Sequence, residues 1–300
     1  MKPPPQKLWR NGEIKKETRP AKLNTDRAKK ETHETSDSCI ELSLFLTKSS
    51  SRFAVRALSL ESTNIMEDFF SEDDVLQYFD LIQNGHPEAP VELRALNFRG
   101  RYNNTYSGYY NNHEKFIEAV RYASKYSGGI YMPINVLKPD LIARRANKSV
   151  EFAKITTSDS DIILRQFIPI DIDPKRSAGV PSTDDQHEAA IAKAWTIYDW
   201  SLKGKGPEPI VCDTGNGAHL LFPDNLPNDE ESKEMVHNFL FGLDDKFSDD
   251  VVEVDTTVYN AARIMRLPGT MNRKGSSLPE YPHRMAKILS IPNKQESQND

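Results

Sequence analysis

Asp171-Ile172-Asp173 closes the apolar run RQFIPIDID (165–173) and is followed at once by Pro174. On a strand successive side chains alternate in direction, so carboxylates two apart share one face. Side by side they repel, and burying them uncompensated costs on the order of several kcal/mol each. A divalent cation is the simplest remedy, because hard Mg²⁺ takes one or two carboxylates together with substrate phosphates. A solvated strand end can carry the same spacing, as can glycosyltransferases and many phosphate enzymes, so the pair alone leaves the chemistry open.

Two further segments narrow the choice. Asp213-Thr214-Gly215-Asn216-Gly217-Ala218-His219 joins two apolar strands. Its glycines permit positive φ and could let backbone N–H groups approach an anion; a plain hairpin with a structural histidine would read the same way. Val254-Asp255 ends another apolar strand, where a lone acid is also a common turn residue. The stretch NAARIMRLPGTMNRKG (260–275) then concentrates Arg263, Arg266, Arg273 and Lys274. Arg263 and Arg266 lie three apart and would share a face on a helical turn. Guanidinium groups fit phosphate bidentately; a plain surface patch is the alternative. Strand-end carboxylates, a histidine and a cationic cluster are together what metal-assisted phosphoryl or nucleotidyl transfer requires. Neither G-x-x-x-x-G-K-[ST] nor G-x-G-x-x-G occurs, which argues against a P-loop ATPase or a dinucleotide-binding dehydrogenase.

The elements that must hold these residues are legible from residue 71 onward. Ser71 with Asp74 suggests a helix start, with Val75, Leu76, Phe79 and Ile82 at helical spacing. Strands are expected over 91–98, 105–111 and 129–136, with a helix over 113–126, making a βαβ-like unit that ends near 150. The second half predicts a strand over 165–173 and a helix over 181–204 opened by Thr183 and Gln186. A hairpin over 209–222, a helix over 228–247, and strands over 251–258 and 283–291 follow. The order β-α-β-β-α-β is that of a ferredoxin-like or RRM-like sheet.

Composition sets the outer bounds. The chain has 300 residues, 37% hydrophobic and 28% charged, with a net charge of −5. That suits one domain of two lobes or two small domains, with no apolar run of the ~20 residues a membrane span needs. Residues 1–30 carry ten Lys/Arg against three Asp/Glu, leaving 29 against 41 on the remainder. A phosphate-binding surface on so acidic a body must be local. Residues 1–65 read as a disordered basic and polar leader. They could instead be an arm touching nucleic acid, or sequence upstream of a natural start at Met66. The tail 293–300 also reads as unstructured. The N-terminus lacks the apolar core of a secretory signal. Two cysteines, Cys39 and Cys212, are too few for a cysteine-based zinc site or a disulfide framework, and Cys212 reads as a buried thiol. A cytoplasmic location is expected.

IPIDIDP (168–174), TGNGAHLLF (214–222) and VEVDTTVYNAARIMRLPGTMNRKG (252–275), in this order, resemble the archaeo-eukaryotic primase superfamily, most of all the primase–polymerase (PrimPol-like) domains of phages and mobile elements. NVLKPDLIARRANK (135–148) and TTSDSDI (156–162) are similar to that branch as well, so the resemblance spans about residues 90–290. It implies an α+β fold, with an N-terminal αβ lobe (66–160) packed on an RRM-like catalytic lobe (161–292) and the site between them. It implies that Asp171, Asp173 and Asp255 ligate two Mg²⁺ or Mn²⁺ ions. His219 would contact the phosphates of an incoming NTP or dNTP, with Thr214 and the turn Gly215, Asn216 and Gly217 nearby. Arg263, Arg266 and Lys274 would meet triphosphate or template backbone. The implied partners are a single-stranded DNA template and a replicative helicase in cis or trans; a zinc element is not expected. Thr214 departs from the serine many members carry but keeps the hydroxyl.

Several residues stay open between two roles. Asn135, Arg144 and Asn147 could line the cleft or be structural. Asp159 and Asp161 could cap a turn or support the metal site. Tyr106, Tyr109 and Tyr110 could stack bases or face a core. Two rival functions remain: a metal-dependent glycosyltransferase holding a nucleotide-sugar on Asp171 and Asp173, and a non-catalytic RRM-like nucleic-acid-binding module.

Overall fold

A computed structural model describes residues 70–292, which form part of one compact unit. The leader 1–65, with Cys39, and the tail 293–300 lie outside the described residues. Helix α1 (Glu72–Gln83) starts where Ser71 Oγ accepts the Asp74 N–H at 3.3 Å, and it buries Val75, Tyr78, Phe79 and Ile82. Strands β1 (Val91–Leu96) and β2 (Tyr106–Tyr110) pair antiparallel. Asn112 caps helix α2 (His113–Tyr126) by accepting the Lys115 N–H at 2.9 Å. Strand β3 (Gly129–Pro133) then returns beside β1, so β2-α2-β3 is a split βαβ unit with β1 between its strands. The segment 129–136 expected as one strand breaks there. Asn135 donates to the Ala261 carbonyl at 2.8 Å and accepts the Phe167 N–H, and the chain crosses to a second sheet as β4 (Val136–Leu137). Strand β5 (Lys148–Val150) closes the first sheet beside β2.

The second sheet centres on β6 (Ile162–Pro174), a strand of 13 residues. Helix α3 (Asp184–Lys203) follows, with the Thr183–Gln186 capping box formed in both directions. Strands β7 (Ile210–Asp213) and β8 (Ala218–Pro227) make the expected hairpin, and helix α4 (Glu230–Phe247) follows. Strand β9 is only Val252–Val254: Asp255 accepts the Thr257 N–H at 2.7 Å and turns the chain, which ends the strand expected to 258. Residues 264–266 are strand β10, not a helical turn, because the open edge of β3 pairs with them. The last expected strand divides as well. Strand β11 (Met271–Asn272) pairs with β12 (Arg284–Met285), Ala286 bonds Thr270 and Gly269, and only β13 (Lys287–Ser290) reaches β7.

The five-stranded sheet runs β10-β3-β1-β2-β5, and the six-stranded sheet runs β13-β7-β8-β6-β4, with β9 also on β6. Around its centre the order β9-β6-β8-β7 is antiparallel at every step. The two faces of β6 have separate fates. Ile168, Ile170 and Ile172 pack with Ala190, Ala194 and Ile197 of α3 and with Val236, Leu240 and Leu243 of α4. Phe167, on the opposite face, joins Ile210, Cys212 and Leu221 in the core shared with the first sheet. Asp171 and Asp173 continue that second face to where the packing ends. Tyr106, Tyr109 and Tyr110 are buried, as a core role requires, and Cys212 is a buried free thiol that burial pushes upward in pKa. Among the described residues no helix is long and apolar enough to cross a membrane.

Candidate active site

The register of the central strands sets Asp171 beside His219. His219 on β8 stands directly opposite Asp171 on β6, and its Nε2 lies 3.4 Å from Asp171 Oδ1. Past the end of β9 the ladder continues for one bond, with the Asp255 N–H donating to the Asp171 carbonyl at 2.9 Å. Residues opposite one another in an antiparallel ladder share a face. Asp171 and His219 therefore face one another, with Asp173 one step along β6, while Asp255 takes the next ladder position with its carboxylate accepting the Thr257 N–H. Burial alone would push the Asp171 carboxyl up, but His219, Arg263 and Lys274 outweigh it and hold it below the usual carboxylate range. Asp173 goes the other way. Burial and the neighbouring Asp171 charge raise it, and Arg176, Lys274 and His219 relieve it only in part.

The glycine turn works differently from the sequence reading. The Gly215 N–H donates to Asp213 Oδ1 at 2.6 Å, and the Asn216 and Gly217 N–H groups donate to Thr214 Oγ1 at 3.3 and 2.9 Å. The turn amides are thus satisfied within the turn and do not form an open anion cradle. The glycines are there for close approach. A Cβ on Gly217 would lie 2.2 Å from the Ile172 carbonyl, and one on Gly215, at φ +82°, would lie 2.7 Å from the Arg284 carbonyl. The turn is also bolted from outside. Buried Asn216 accepts from the Ser182 N–H at 2.9 Å, and buried Asn272 donates to the Thr214 carbonyl at 2.7 Å. The Thr214 hydroxyl keeps a proton to donate.

Asp171, Asp173, Thr214, Asn216 and His219 face a cleft of about 620 Å³ whose walls also include Arg266 and Lys274; Asp255 does not line it. Arg266 is buried. One guanidinium nitrogen donates to Tyr131 Oη at 2.7 Å, the group stacks 4.7 Å from the Tyr131 ring centroid, and its Nη1 is buried with no hydrogen-bond partner. Burial pulls its pKa down, while Tyr131, Asp171 and Asp173 oppose that. Lys274 is exposed and acts electrostatically on both carboxylates. Arg263 bonds the Thr257 carbonyl and acts on Asp171, but it does not line the cleft. The expected shared face of Arg263 and Arg266 is therefore corrected. On a strand an offset of three points the side chains to opposite sides.

Two contributors escaped the sequence reading. Arg176 lies 3.5 Å from Asp173 and lines the cleft; the signal was a basic residue three past the second acid. Tyr131 sits on β3, remote in sequence, and nothing local marks it. Conversely, several open candidates are structural. Asn135 brackets the two sheets, Arg144 pairs with Asp161 at 2.8 Å, and Asn147, at φ +50°, bonds Asn111. Asp161 completes a capping box with Ser158, and Asp159 accepts the Ala262 N–H at 2.7 Å.

The donor set can be tested for a cation. Among the described residues no three His, Cys, Asp or Glu side chains form a ready-made cage. Two same-face carboxylates of unequal proton affinity, opening onto a cleft with cationic walls, are instead what a hard divalent ion shares with phosphate oxygens. The residues fit Mg²⁺ or Mn²⁺ on those terms.

No protein-family profile matches the chain, and no curated protein does. Among solved structures the chain is similar to the AEP domain (PP-N190) of cyanophage S-2L primase-polymerase (PrimPol). The identity is 16%, over 74% of this chain and 90% of that one, with a TM-score of 0.38.

Proposed function

We propose that the protein is a metal-dependent nucleotidyltransferase of the primase–polymerase kind. In this reading it makes or extends oligonucleotides on a single-stranded DNA template for the replication of a phage or mobile element, alone or beside a helicase. The observation that carries the reading is the Asp171–Asp173 pair with His219 in register beside it, facing a cleft that also holds the buried, half-satisfied Arg266. The β9-β6-β8-β7 order is the one an RRM-like catalytic lobe requires. The first sheet would serve as the N-terminal lobe.

Asp171 and Asp173, with Asp255 beside them, would hold the Mg²⁺ or Mn²⁺ ions. Bound ions would activate the attacking 3′-hydroxyl and neutralise the leaving pyrophosphate. The chain's own groups do the rest. Arg266, held in place by Tyr131, sets a fixed positive charge in the cleft wall toward the phosphates. Lys274 adds an exposed positive charge to the cleft wall. The Thr214 hydroxyl and His219 hydrogen-bond the triphosphate. Burial and the charge of Asp171 raise the proton affinity of Asp173, and a cation shared by the two carboxylates would relieve that repulsion.

The test is incubation with single-stranded DNA, labelled NTPs or dNTPs, and Mg²⁺ or Mn²⁺. Template-dependent products that disappear in Asp171→Asn are expected. Single-strand binding indifferent to EDTA and to Asp171→Ala, with no product on any template, would overturn the reading in favour of a binding module. Turnover of a nucleotide-sugar without template would overturn it in favour of a glycosyltransferase.

A further inference from the structure

The lining of the cleft includes a member of a partly exposed aromatic cluster. Tyr126 and Asn97 line the cleft. Tyr122 lies one helical turn before Tyr126 on α2, and their rings meet edge to face at 5.2 Å. Both are exposed, at 37% and 43%. They rest on buried Phe98, whose ring centroid is 5.9 and 5.8 Å from theirs and which stacks on Tyr106. The Arg99 guanidinium carbon lies 4.9 Å from the Tyr126 ring centroid, and one nitrogen donates to Tyr122 Oη at 2.6 Å. Exposed Arg101 and Lys125 flank the cluster in sequence, and Glu151, 3.2 Å from Arg99, is the acid that faces it.

The loop carrying Arg99 has an unusual backbone. Asn97, Arg99 and Asn103 all have positive φ, at +49°, +57° and +62°. Non-glycine residues rarely adopt this region, and clusters of them concentrate where a binding surface must be held in one shape. Here the effect is to set the Arg99 guanidinium against two tyrosine rings anchored in the core. Fixed aromatic faces beside a guanidinium plane suit unpaired bases, because every base offers a π-face while its phosphates seek cations. Paired bases hide those faces.

We infer that Arg99, Tyr122 and Tyr126 form the platform on which the single-stranded template lies as it leaves the cleft. The inference rests on the proposed polymerase reading for what occupies the cleft, and its test is separable from that reading. The probe is fluorescein-labelled oligo(dT) of about fifteen nucleotides, followed by anisotropy in EDTA so that catalysis plays no part. Tyr126→Ala and Arg99→Ala should each weaken binding about tenfold. Tyr126→Trp should retain it, and Phe241→Ala, an exposed ring on α4, should leave it unchanged. Thermal melting identifies any variant that fails to fold, and Arg99→Ala, at an exposed residue, stands in for one that does. Platform variants that bind like the wild type would overturn the inference. Equal losses on oligo(dT) and on duplex DNA would also overturn it, since stacking would not be the cause, and so would absence of oligo(dT) binding by the wild type. Loss confined to the platform variants, with no nucleotide incorporation by the wild type, would uphold the platform and sink the polymerase reading.

Discussion

Asp159 and Asp161 stand just before β6, and Asp171 and Asp173 stand at its far end. Both pairs have the same spacing and both are followed by structure that depends on them. The first pair is saturated. Asp159 accepts from the Ala262 N–H at 2.7 Å and from Asn260 at 3.2 Å. Asp161 takes both Arg144 nitrogens, at 2.8 and 3.1 Å, and the Ser158 N–H and hydroxyl at 2.9 Å each. Burial opposes ionisation there, but these donors win and hold Asp161 below the usual range. The second pair has His219 at 3.4 Å and Arg176 at 3.5 Å, and its second carboxyl is raised instead of lowered. The same two-residue spacing is therefore a structural clamp where donors converge on it, and where they do not it is the open carboxylate pair on which the proposed cation site rests.

The difference can be broken from either side. The largest effect should fall on chemistry. Asp171→Asn should lower template-dependent incorporation by about 10³-fold or more in a single-turnover assay, with the far-ultraviolet circular dichroism unchanged. Asp161→Asn should instead cost about 2 kcal/mol of stability in a denaturant titration, because it removes charge-assisted hydrogen bonds from a buried acceptor. The same substitution should leave the Km for nucleotide where it is.

The second acids of the two pairs, Asp161 and Asp173, should contribute to the pH dependence with opposite signs. Asp161 binds its proton less tightly folded than unfolded, so its contribution is present above the unfolded carboxylate pKa and is lost as pH falls through the folded value. Asp173 binds its proton more tightly folded, so the wild type loses stability as pH rises from the unfolded pKa through the folded one. Asp173→Asn should consequently raise the melting temperature at neutral pH, with the gain vanishing in acid. Melting curves of both variants across the acid range check the two signs together. A smaller effect should come from Tyr131→Phe. It keeps the ring under Arg266 but removes the acceptor, and should raise the Km for nucleotide several-fold with kcat little changed.

Much of this arrangement could be read from local sequence. The Thr183–Gln186 capping box, the Ser71 cap and the alternation of RQFIPIDID all depend on neighbours within a few residues, and each forms where expected. What local sequence could not show is which strand edge a segment meets. Residues 264–266 carry no strong helix or strand preference, and the free edge of β3, more than a hundred residues earlier, settles them. The split of 129–136 likewise depends on Asn135 reaching Ala261 and Phe167. The glycine turn shows the limit at the site. Gly215 and Gly217 are demanded by clashes with Arg284 and Ile172, and Thr214 and Asp213 consume the amides that an anion could have used. Tyr131 was beyond reach because its role exists only through Arg266.

The most direct test of the contrast between the two acid pairs is Mn²⁺ binding followed by electron paramagnetic resonance, with nucleotide absent. Wild-type protein and Asp159→Asn should both bind the ion, and Asp171→Asn/Asp173→Asn should not. Equal binding by all three proteins, or loss in Asp159→Asn alone, would contradict the claim that the far end of β6 is the cation site.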